Sequence, residues 1–260
     1  MPPTSPPSEP EWPLPKFTLR IEDLTHPGAV LFLENVQPAA ALRAAVLASF
    51  NYLYATPACA PTNVASIVLV LRPMAGVAHT FGSHTEKEIH FSLDHIVNSA
   101  GRARDEILGV LVHEVVHCYQ HNANGTAPGG LIEGIAGADP AIVTTRRLTA
   151  HVQTLCACAR TSGRRTGSAR RAATRSGTRG YQTTAYFLDW IDRRAGAGTV
   201  RALNAELEGK DYDAAVFERL TGESVNTLWR RYKVELAGGD PDDFQGADEE
   251  LPSDEGFTLV

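Results

Sequence analysis

The chain has 260 residues, 43% of them hydrophobic and 21% charged, with a formal net charge of −6. That length suits one large domain or two small ones, and the near-average composition argues against wholesale disorder. The acidic balance argues against a nucleic-acid backbone as main partner, no apolar run approaches the roughly 20 residues of a membrane span, and four cysteines are too few and too irregular for a disulfide framework. The Pro-rich start MPPTSPPSEPEWPLPK has no basic or apolar leader region, so the chain as written is expected in the cytoplasm, with secretion requiring a different N-terminus.

Residues 1–15 carry seven prolines and predict a flexible extended tail. Phe17, Leu19 and Ile21 alternate with polar residues, as in a half-buried strand. Pro38 opens an Ala- and Leu-rich helix over 38–54. SIVLVLRP at 66–73 predicts a central strand, and KEIHFSLDHI at 87–96 alternates Ile89, Phe91 and Leu93 as a further one, with KEIHFS expected as an edge open to backbone pairing. A long helix follows over about 103–121, with Asp105 and Glu106 in its positive first turn. Helices are expected near 181–194, 197–208, 212–220 and 224–237, with Trp190 and Trp229 as core residues. Residues 238–260 hold eight acids and no base, and predict a second, acidic tail. Strands first and helices after make the class α+β, with one domain over 16–237.

Chemistry concentrates in His113-Glu114-Val115-Val116-His117, an HExxH pattern inside the long helix. Residues i and i+4 share one helix face, so His113 and His117 can turn two imidazole nitrogens toward one cation. Glu114 sits beside them, where a carboxylate can take a proton from water. A catalytic zinc usually takes a third protein ligand and keeps one position open. The metzincin position, six residues after His117, is Ala123, which excludes that arrangement. His121 is one candidate; Glu133 in GGLIEGIA, on a second helix after a Gly-rich turn, is the better one. His79, His84, His90 and His95 share no metal-ligand spacing and are assigned to strands and loops.

LVHEVVHCYQHNANGTAPGGLIEGIA at 111–136 resembles the core signature of the plant basic secretory protein family, also called the peptidase family of plants and bacteria. Gln120, Gly125, Ala127, Pro128, Gly129, Gly130, Leu131, Ile132, Glu133, Gly134 and Ile135 stand in matching places. GYQTTAYFLDWI at 180–191 and SHTEKEIHFSLDHI at 83–96 are similar to further blocks. The resemblance implies a zincin-like fold: an N-terminal mixed sheet, an active-site helix and a C-terminal helical half. It implies a zinc-dependent peptidase acting on peptides or proteins. The expected zinc ligands are His113, His117 and Glu133, with Glu114 as general base. Tyr181, which opens a helix in a matching block, is a candidate oxyanion donor, although core packing is the commoner role for such a residue. A monomer is expected, with no nucleic-acid or membrane partner. The rival expectation is a non-catalytic binding or defence-type protein on the same fold.

Residues 138–180 stand apart. They contain nine Arg, no Lys, no aromatic residue and a single acid, Asp139. The family pattern continues EGIA with an acid; here Gly137 follows, and Asp139 is off the helical phase. Shifted by one nucleotide, suitable codons for 154–169 yield the family-like string FVRLRADL, which points to a retained intron or frameshift in this block. Its composition predicts poor packing and little regular structure beyond about residue 155.

Overall fold

A computed structural model describes residues 11–139 and 175–243. The chain divides into two units, residues 1–119 and 120–260. It is α+β: among the described residues, one four-stranded mixed sheet lies in the first unit, with nine α-helices along the chain.

In the first unit, β1 (Lys16–Ile21), β2 (Ser66–Arg72) and β4 (Glu86–Ser92) run parallel. β3 (Ala78–Gly82) runs antiparallel on the outer side of β4, giving the order β1-β2-β4-β3. Leu19, Leu69 and Ile89 lie in register across the sheet. Ile67, Leu69, Leu71, Ile89 and Phe91 are fully buried, as strand periodicity requires of one covered face. Parallel neighbours need a crossover, and α1 (Pro27–Asn35) and α2 (Pro38–Leu53) supply it between β1 and β2. Each opens on a proline, whose missing N–H costs nothing at a helix start. α2 packs against α4 (Ala103–Tyr119), the helix that carries HExxH. No single described helix is long and apolar enough to cross a membrane.

Several sequence expectations change here. Helices α1 and α2 precede three of the strands, so strands do not simply come first. The strand expected over 87–96 ends at Ser92, and α3 (Leu93–Asn98) begins there. The cause is a cap: Ser92 Oγ accepts the His95 N–H at 3.2 Å. β4 is an interior strand, and the sheet edge beside it is β3, which the sequence does not announce. Gly82 permits the β3–β4 turn with φ +131°, where an added Cβ would lie 2.2 Å from the Glu86 carbonyl oxygen. Trp12 stacks on the buried Phe50 at 5.3 Å, so packing begins inside the segment expected to be a tail. At the other end, Asp242 pairs with Arg194 and Arg231, so packing also passes residue 237.

In the second unit, the described helices are α5 (Gly129–Gly137), α6 (Arg175–Ala195), α7 (Thr199–Glu206), α8 (Ala215–Thr221) and α9 (Val225–Leu236). Phe187, Trp190, Trp229 and Tyr232 form an aromatic cluster with ring separations of 5.1–6.2 Å. This agrees with the core role expected of the two tryptophans. Of the Arg-rich block, residues 140–174 lie outside the described residues, and with them the packing expected there. Residues 175–180 are helical in α6, against the expectation of little regular structure.

Candidate metal centre

α4 is held at both ends within the first unit. At its start, Glu106 bonds His95 of α3 at 2.7 Å and pairs with Arg102. The His95 hydrogen bond, helped by the Arg102 charge, holds the Glu106 carboxyl below its ordinary value against the opposing effect of burial. His95 thus has a structural role, but on helix α3 and not on the strand or loop expected. At the other end, the Tyr54 hydroxyl donates to the Tyr119 carbonyl at 2.6 Å, and the Phe50 and Tyr119 rings lie 4.5 Å apart. A helix clamped this way presents its side chains from fixed positions.

Its third and fourth turns carry the motif. Val112, Val115, Val116 and Cys118 are buried, while His113 and His117 are partly exposed. The two imidazoles meet edge to face, with ring centroids 4.8 Å apart and an interplanar angle of 89°. Their Nε2 atoms are 3.2 Å apart. Two nitrogens bound tetrahedrally to one zinc at its usual bond length would be separated by about 3.3 Å. The pair therefore has the spacing a shared cation requires. Two imidazoles with the Glu133 carboxylate make a donor set that could hold a metal ion.

The motif's other polar neighbours, Cys118 and Glu114, lie outside that donor set among the described residues. Cys118 is buried, which pushes its thiol up to about 12 and keeps it protonated. Its Sγ donates to the Glu114 carbonyl at 3.5 Å. Glu114 is only 6% exposed, and its Oε2 accepts the Thr80 hydroxyl at 2.7 Å. The sequence gives no sign of this partner, because Thr80 lies 34 residues away on β3.

Glu133 lies on α5 in the second unit and is half-buried. The glycines around it have a packing role. A Cβ on Gly134 would sit 2.4 Å from Thr184 Cγ2 and 3.3 Å from Leu188 Cδ1, both on α6. Glycine is thus what lets α5 and α6 approach so closely. Within the same unit, the His121 N–H donates to Asn204 Oδ1 at 2.9 Å, and its ring lies 4.0 Å from Glu208. His121 is absent from the candidate donor set among the described residues. Asp139, which helical phase sets aside, is only 2% exposed just after α5. Tyr181 falls on α6, but its side chain lies outside what the structure describes.

The family model for peptidases of plants and bacteria matches residues 14–232. The chain belongs to this peptidase family. The match runs from just before β1 into α9 of the plant and bacterial peptidase, and so includes HExxH and GGLIEGIA. No curated protein and no solved structure shows a match to the chain.

Proposed function

We propose that this family member is a zinc-dependent metallopeptidase of zincin-like fold, with His113, His117 and Glu133 as ligands and Glu114 as general base. The observation that carries this is the 3.2 Å separation of the two Nε2 atoms on a helix clamped at both ends. Two neutral imidazoles and one carboxylate suit zinc, and three protein ligands leave a fourth position for chemistry. Zinc held by these residues would supply Lewis acidity toward a carbonyl oxygen and toward water.

The chain's own groups do the rest. Glu114 accepts the proton of the attacking water as the new C–O bond forms, then passes it to the amine nitrogen as the C–N bond breaks. The carboxylate is regenerated, so each turnover leaves Glu114 unchanged. An extended peptide would add its backbone to the outer side of β3, the sheet's edge strand next to β4. This replaces KEIHFS, the strand that sequence suggests as the edge, because β4 is paired on both sides. Tyr181 remains a proposed oxyanion donor.

The ligand set is tested by zinc stoichiometry after equilibrium dialysis. Wild type should retain about one zinc per chain, and Glu133→Ala should bind it at least 10-fold more weakly. A Glu133→Ala protein with unchanged zinc affinity would remove Glu133 from the site.

A further inference from the structure

The hydroxyl of Thr80 has one proton and two acceptors within reach. Glu114 Oε2 lies at 2.7 Å and the Glu114 carbonyl oxygen at 3.0 Å. The carboxylate is the closer acceptor and the charged one, so it takes the proton. The carbonyl meanwhile receives the Cys118 thiol. Thr80 is built into the sheet for this contact: it pairs with Ile89 across β4, and strand alternation turns it to the side opposite His79 and Phe81. Those two neighbours are exposed and cluster with the His90 ring at 5.0–5.2 Å.

We propose that Thr80 is a positioning residue for the general base, fixing which carboxylate oxygen of Glu114 exchanges the proton. The proposal rests on the peptidase reading above. With Oε2 engaged by the Thr80 hydroxyl, Oε1 is the oxygen that accepts a proton from the attacking water. Once Oε1 is protonated, Oε2 is the carbonyl-type oxygen of a neutral acid and still accepts from Thr80. The hydroxyl therefore never gives up its own proton, and the shuttled proton stays on Oε1 until the leaving amine takes it. The same residue belongs to β3, the strand proposed to dock the peptide backbone. Docking and base placement thereby share one strand.

The test compares Thr80→Val, which keeps shape and strand preference, with Thr80→Ser, which keeps the hydroxyl. Thr80→Val should lower kcat about 10- to 100-fold with KM little changed, while Thr80→Ser stays within a few-fold of wild type. Zinc content should match across all three, and melting temperature should fall by no more than about 10 °C in Thr80→Val and stay near wild type in Thr80→Ser. A readout independent of turnover is isotope-edited infrared spectroscopy of metal-free protein with labelled glutamate. The carboxylate band that disappears in Glu114→Gln should shift in Thr80→Val and not in Thr80→Ser. If wild type hydrolyses peptides and Thr80→Val retains its kcat, or the band stays put, the positioning role is overturned and the peptidase reading stands. A zinc-loaded wild type with no hydrolysis overturns both.

Discussion

Replacing Gly134 by alanine probes the helix contact that positions the Glu133 helix. The added Cβ would lie 2.4 Å from Thr184 Cγ2, where carbon atoms normally keep about 3.5–4.0 Å. An overlap of about 1 Å has nowhere to go, since Thr184 and Leu188 are both buried and Leu188 Cδ1 is already 3.3 Å away. An overlap this large falls at the upper end of the usual overpacking cost, about 2–3 kcal/mol, and the better helix propensity of alanine returns about 1 kcal/mol. The net loss should be about 1–2 kcal/mol, a fall of roughly 2–8 °C in Tm for a chain of this size. Thr184→Ser removes the clashing methyl and keeps the hydroxyl. In that background the cost of Gly134→Ala should shrink by about 1 kcal/mol, a coupling that thermal melts of the four proteins can resolve. A Gly134→Ala protein as stable as wild type, or an equal loss in both backgrounds, would refute the close-packing explanation of this glycine.

Other consequences are equally direct. Because the Glu106 carboxyl is held below its unfolded value, its stabilising contribution is complete above about pH 4.3 and disappears as pH falls through the folded value. The Tm of wild type should therefore drop more steeply between about pH 5 and 3 than that of Glu106→Gln; parallel curves would show that this contact does not stabilise α4. Trp12→Ala removes the ring stacked on Phe50 and should lower stability by about 1–2 kcal/mol in denaturant melts, whereas an unchanged midpoint would return residues 11–15 to the status of a tail.

The HExxH helix was legible because its chemistry is local: one helix repeat sets the His113–His117 relation, whatever surrounds it. The parallel strands were legible through apolar alternation, as at Phe17, Leu19 and Ile21. β3 was not, because its half-covered face carries the small Ala78 and polar Thr80 while the exposed face carries Phe81, so AHTFG shows no apolar alternation. The end of β4 was missed for a different reason. Leu93 continues the alternation, but Ser92 caps a helix at that point, and capping outweighs a pattern one residue long. Thr80 was invisible for want of any local signal, since its partner is fixed only when β3 lies along α4. The burial of Asp139 likewise depends on packing, which helical phase cannot report.

The central claim is best tested by the rate of peptide hydrolysis by zinc-loaded wild type beside zinc-loaded Glu114→Gln. Both should carry about one zinc per chain, because the proposed ligands are His113, His117 and Glu133. Wild type should cleave, and the variant should be slower by about 10²- to 10⁴-fold, the range typical of a lost general base. Equal rates in the two proteins, or a fully loaded wild type that cleaves no peptide in a broad mixture, would contradict the claim.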